Sequence, residues 1–151
     1  YKDGMFPPME VEGESSYYLK SMNCPHHHTI FGHRPRSYRE LPLRFAEYGT
    51  VYRFEPSGTL SGLLRVRSIA QNDAHIYCTL EQLKAEMKAT FKMTMDYYNL
   101  FRFKNVKVRY STHDPKDKEK FVDNPEAWKF SEAIVKEVID EMGVDYVLGE
   151  G

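Results

Sequence analysis

The chain has 151 residues, 41% of them hydrophobic and 14% aromatic, enough for one packed core of ordinary domain size. Its 21 basic and 22 acidic residues leave a net charge of -1, which argues against a dedicated nucleic-acid coat or a membrane-surface patch. Two cysteines are too few for a disulfide framework and read as cytosolic thiols able to ligate metal, and no apolar run reaches the roughly 18–20 residues of a transmembrane span.

The opening "YKDGMFPP" lacks the features of a signal peptide; it and the closing "YVLGEG" read as the ends of an internal piece of a longer protein. Residues 1–20 read as a loop with a short hairpin, ending in the strand-like "SSYYLK". A helix is expected from Asn23–Cys24–Pro25, where Asn or Cys can cap and Pro suits the first turn; Gly32 and Pro35 end it. Val51, Arg53 and Glu55 then share one face of a strand, the turn-rich "PSGTLSG" follows, and the chain returns as "LLRVRSIAQNDAHIY". Side-chain alternation puts Arg65, Arg67, Ile69, Gln71, Asp73 and His75 on one face of the returning strand. Leu64, Val66, Ser68, Ala70 and Ala74 fall on the other, expected to face the core.

The second half reads as scaffold. Thr79 and Gln82 form a capping box opening a helix to about Phe103, with a stripe of Leu80, Leu83, Met87, Phe91, Met95 and Tyr98. "VKVRYST" from Val106 reads as a half-buried strand. Asn124–Pro125 caps a last helix that carries Ala127, Phe130, Ile134, Val138 and Met142 and stops at Gly143. Cys78 reads as a small buried hydrophobe, and His33 and His113 as surface residues.

The chemistry is concentrated between these parts. For any single charge, a solvated face with cross-strand ion pairs is the simpler account. The set of Arg53, Glu55, Arg65, Arg67, Gln71, Asp73 and His75 is too dense for that: Arg53 and Arg65 could share an anion while Glu55 accepts from an amine. Arginine suits phosphate through its planar fork of donors. In "SMNCPHHHTIF" the three adjacent histidines cannot all face one ion, because each helical step turns the side chain by roughly 100°. His28, one turn after Cys24, is the neighbour within reach, and the three read mainly as helix-surface and pocket-rim residues.

"MNCPHHH", "SYRELPLR", "AEYGTVYRFEPSGTLSGLLRVR" and "QNDAHIYC" together resemble the threonyl-tRNA synthetase family of class II aminoacyl-tRNA synthetases. The resemblance covers essentially the whole chain and is most specific between Ser21 and Cys78, where "YRFE" stands at the second class II signature motif. It implies an α+β fold with a mainly antiparallel sheet and packed helices, residues 1–151 being part of a catalytic domain. It implies ATP-dependent activation of threonine to threonyl-adenylate and transfer to tRNA(Thr), in a cytoplasmic enzyme that is a homodimer when intact.

By the same resemblance Arg53 contacts the α-phosphate of ATP and the amino-acid carboxylate, Glu55 holds the adenine end, and Arg65 reaches the distal phosphates. Ile69 takes the place where the family usually has Phe or Met against the adenine. Gln71 and Asp73 line the threonine pocket, with Met22 and Asn23 at its edge. Cys24 and His75 match two of three zinc ligands, and ATP comes with Mg2+. The third zinc histidine and the first and third signature motifs are expected outside this chain, so zinc is expected to be held weakly by the piece, and the piece to be inactive alone. The alternative is a non-catalytic class II synthetase-like binding module; a prolyl or seryl enzyme conflicts with the Cys24 and His75 pair.

Overall fold

In the computed structural model, residues 2–13 and 15–150 are described, so Tyr1, Glu14 and Gly151, which end or interrupt segments read above, lie outside the described residues. The chain divides into two compact units, Tyr1–Tyr77 and Cys78–Gly151. The first holds helix α1 (Cys24–Gly32) and strands β1 (Leu43–Tyr52) and β2 (Ser68–Tyr77). The second holds helix α2 (Leu80–Leu100), strand β3 (Val108–Thr112), helix α3 (Pro125–Glu141) and strand β4 (Tyr146–Glu150). The composition is α+β as expected: ten-residue β1 and β2 pair antiparallel, and five-residue β3 and β4 pair parallel.

The long hairpin differs from expectation in extent. β1 starts at Leu43 and stops at Tyr52, so Arg53 and Glu55 follow the strand instead of ending it. β2 starts at Ser68, so Arg65 and Arg67 belong to the connecting segment, although the Arg53 N–H still donates to the Arg67 carbonyl at 2.8 Å. Among the described residues "SSYYLK" forms no strand: Tyr17 makes an isolated bridge with Met9, and the Lys20 carbonyl accepts from the Tyr52 N–H at 2.8 Å.

The faces are also inverted. In the ladder Phe45 lies opposite His75, Glu47 opposite Asp73, Gly49 opposite Gln71 and Val51 opposite Ile69. This odd-numbered face is the more covered one on β1, with Val51 fully buried, whereas Tyr48 on the even face is 89% exposed. Alternation fixes which residues share a face but not which face is covered. Here α1 selects the polar face through its rings: Phe31 stacks on Tyr77 at 4.0 Å, and His27 meets Phe45 edge-on at 5.9 Å. Such ring pairs are each worth about 0.5–1.5 kcal/mol beyond the area they bury.

The second unit follows its local signals closely. Thr79 and Gln82 complete the capping box of α2. The Asn124 side chain accepts from the Ala127 N–H, Pro125 opens α3, and Gly143 takes the left-handed turn (φ 62°) past its end. The stripe on α2 is partial: Leu83, Met87, Phe91 and Met95 are half-buried, but Leu80 is 65% exposed. Lys84 joins α2 to α3 through Glu137 and Glu141, at 2.6 and 2.7 Å.

His113 is not the surface residue expected. Its ring stacks on Trp128 at 4.9 Å, and both its backbone N–H and its Nδ1 lie on Glu132 Oε1, at 2.8 and 2.7 Å. Burial alone would push the Glu132 carboxyl up, but the two His113 contacts and the nearby ring outweigh it and hold the group below the usual carboxylate range. A carboxylate depressed in the folded chain contributes stability above its ordinary value of about 4.3 and loses it as pH falls through the lower folded value. Acidification through that window should therefore lower the unfolding midpoint, and Glu132→Gln should flatten the dependence. An acid limb of unchanged slope in the variant would count against this pair.

Candidate functional site

Two clusters of expected site residues lie in the first unit. The first follows β1. Arg53 and Glu55 line an open cleft of about 490 Å³ together with Gly4, Ser21, Met22, Phe54 and Pro56, a size within the roughly 300–1,000 Å³ of small-molecule sites. Phe54 is fixed there from both sides: its N–H donates to the Gly4 carbonyl at 2.9 Å, and its ring meets Phe6 edge-on at 5.2 Å. Arg53 Nε donates to the Ser21 carbonyl at 3.4 Å, the one side-chain hydrogen bond made by Arg53 among the described residues, so its terminal nitrogens stay available to an anion.

Arg65 does not share a partner with Arg53. Its Nε and a terminal nitrogen both donate to Glu55 Oε2, at 3.1 and 2.9 Å. The Arg65 side chain is 55% exposed, so the pair contributes at most about 1 kcal/mol and yields readily to a ligand. Arg67, expected only as part of the polar face, braces the connecting segment. It donates to the Glu55 carbonyl at 2.9 Å and to Ser57 Oγ at 3.2 Å while lying over the Phe54 ring. Ile69 lies opposite Val51 in the ladder and is 39% exposed.

The second cluster forms where the start of α1 meets the covered face of the hairpin. Asn23 holds the cap position but makes no side-chain capping bond. Its Nδ2 instead donates to Asp73 Oδ2 at 3.2 Å, and the residue is fully buried, not at the pocket edge as expected. Among the described residues its Oδ1 is buried without a partner, a state that typically costs about 1–3 kcal/mol and persists only where surrounding structure enforces it. Gly49 provides the enforcement. A Cβ there would lie 2.7 Å from Asn23 Cγ, so only glycine leaves room for the amide. Gly49→Ala should therefore lower stability by about 1–3 kcal/mol. A urea midpoint matching that of the parent chain would show that Asn23 is not confined in this way.

His75 meets two rings of α1. Its centroid is 4.8 Å from His27 and 5.3 Å from His28, and His28 Nδ1 is 2.8 Å from the Tyr77 hydroxyl. Burial, and secondarily the nearby Cys24, push the Tyr77 phenol up. Cys24 is a free, half-buried thiol one helical turn before both histidines. Of the three histidines expected mainly as helix-surface and pocket-rim residues, His27 is buried; the helical period makes its i+3 position as close to Cys24 as the i+4 position of His28, and that signal was missed. Glu47 and Gly49 were missed too, although they fall on the alternation that Val51, Arg53 and Glu55 already mark. In kind, a thiol and an imidazole suit zinc. Among the described residues no three His, Cys, Asp or Glu side chains gather to hold an ion.

The family described as "tRNA synthetase class II core domain (G, H, P, S and T)" matches residues 8–144. A threonine–tRNA ligase of Staphylococcus carnosus (strain TM300) is 47% identical over 146 residues, covering 97% of this chain and 23% of that protein. One from Anoxybacillus flavithermus (strain DSM 21510 / WK1) is 47% identical over 151 residues, covering 100% and 23%. In solved structures, the RNA binding domain of a threonyl-tRNA synthetase from Cryptosporidium parvum Iowa II superposes with a TM-score of 0.86 at 38% identity, covering all of this chain and 36% of the other. The chain thus spans about a quarter of the length of the curated relatives it matches.

Proposed function

Because the chain belongs to the class II tRNA synthetase core family, we propose that it forms the ATP- and threonine-binding part of a threonine–tRNA ligase. The observation that carries this is identity of 47% with threonine–tRNA ligases across the chain, not across one motif. In the proposed reaction the threonine carboxylate attacks the α-phosphorus of ATP, the α–β phosphoanhydride bond breaks, and pyrophosphate leaves. Transfer of threonine to tRNA(Thr) then releases AMP. Arg53, whose terminal nitrogens make no hydrogen bond among the described residues, stabilises charge developing on the α-phosphate. Arg65, loosely held by Glu55, moves to the distal phosphates and releases Glu55 for the adenine end. Ile69 contributes apolar surface to that end.

Asp73, oriented by Asn23 through one carboxylate oxygen, accepts from the threonine hydroxyl with the other, and Gln71 and Met22 line the same pocket. Cys24 and His75 would hold zinc together with a third ligand from outside the chain. When bound, zinc supplies a Lewis-acid position for the polar groups of the substrate. Mg2+ accompanies ATP, two free cysteines suit a reducing cytoplasm, and the homodimer rests on the family resemblance. No helix among the described residues is long and apolar enough to cross a membrane.

Aminoacylation tests the proposal. The intact protein should esterify threonine to tRNA(Thr); esterification of a different amino acid, or none with threonine, would overturn it.

A further inference from the structure

His27 and Glu47 have no part in the function proposed above, yet they are among the most closely fitted polar groups near it. His27 is 4% exposed, and both its ring nitrogens are engaged. Its Nε2 is 3.1 Å from Glu47 Oε1, and its Nδ1 is 2.7 Å from His75 Nδ1. The second oxygen of Glu47 lies 3.6 Å from Lys20 Nζ. An ionised carboxylate offers only acceptors, so the proton between Glu47 and His27 sits on His27 Nε2. A neutral imidazole carries one N–H, and that of His27 is already committed to Glu47. With His27 neutral, the bond between the two rings is donated by His75 Nδ1–H to the His27 Nδ1 lone pair.

We infer that Glu47 and His27 form a positioning chain that fixes His75 as its Nδ1–H tautomer and leaves Nε2 as the nitrogen free to donate to a metal. Among the described residues nothing hydrogen-bonds to His75 Nε2. Partners on the far nitrogen of a ligand histidine set its tautomer and orientation, and their loss typically weakens metal binding by about 10–100-fold. The order along the hairpin serves this purpose: Glu47 faces Asp73 in the ladder, and Phe45 faces His75. One helical turn therefore delivers Asn23 to Asp73 and His27 to His75. The engagement of His75 Nδ1 by His27 follows from the contacts; its consequence for zinc rests on the function proposed above.

Nitrogen-15 spectra of the histidine-labelled, metal-free intact protein at neutral pH test the chain directly. His75 should show a protonated Nδ1 and a pyridine-like Nε2. In His27→Ala that preference should be lost, and in His27→Asn, whose Oδ1 can accept the same proton, it should return. Competition with a chromophoric chelator should show zinc held about 10–100-fold more weakly by His27→Ala and close to normally by His27→Asn. A His75 protonated on Nε2 in the parent protein would overturn the inference, as would a tautomer unmoved by His27→Ala. The parent protein needs no substitution, so the first readout survives even if a variant fails to fold. If the tautomers behave as expected but the parent protein binds no zinc, the positioning chain stands and the metal-site reading fails.

Discussion

Replacing Asp73 with alanine should collapse the preference of the intact enzyme for threonine over valine while leaving activation possible. Valine has nearly the shape of threonine and lacks only the hydroxyl. Apolar contact alone separates such isosteres by about 10²-fold, whereas a site built to bond the hydroxyl rejects the analogue by about 10⁴–10⁵. Asp73 suits this role because one carboxylate oxygen is held by a fully buried amide, while the other accepts no hydrogen bond among the described residues. Binding valine would leave that second oxygen desolvated and unpaired, and removal of the carboxylate removes this penalty. The ratio of kcat/KM for the two amino acids in pyrophosphate exchange should then fall by about 10²–10³. Serine, which keeps the hydroxyl and loses a methyl worth about 1–3 kcal/mol, should be little better excluded by the parent enzyme than by the variant. A threonine-to-valine ratio unchanged by Asp73→Ala would remove Asp73 from the recognition step.

Arg53→Ala should act on rate and not on choice. Among the described residues the terminal nitrogens of this arginine make no hydrogen bond beside the cleft, and in the proposed reaction they face the charge that develops on the α-phosphate. Loss of one preorganised donor at such a position typically costs about 10²–10³ in kcat. Threonine and valine should lose the same factor, leaving their ratio intact, because the phosphate is common to both. Arg53→Lys should recover only part of the rate, since an ammonium brings the charge without the planar fork. Equal rates for Arg53→Ala and the parent chain would place the phosphate elsewhere.

The two halves of the chain were legible to different degrees, for a physical reason. Helix ends depend on a few adjacent residues, so the capping box at Thr79 and the Asn124–Pro125 start of α3 could be read directly, as could the stop at Gly143. The hairpin depends on what covers it. Alternation put Gln71, Asp73 and His75 on one face correctly, yet it pointed the opposite face to the core, because the covering element is a helix whose contacts are polar and aromatic. Asn23 illustrates the limit. Its position marks a helix cap, and only the fold shows that its amide bypasses the cap for Asp73. Arg65 is another case, since only the fold shows that two of its donors rest together on Glu55 Oε2. His113 looked like a surface residue because Glu132 and Trp128, its partners, lie 19 and 15 positions away on a helix that packs back on it.

On the proposed reading this chain builds the activation site of a threonine–tRNA ligase. Amino-acid-dependent ATP–pyrophosphate exchange by the intact protein, run with each of the twenty amino acids separately, tests it most directly. Threonine should support exchange, serine weakly, and valine about 10⁴–10⁵ less well. Exchange driven by any other amino acid in preference to threonine, or by none at all, would contradict it.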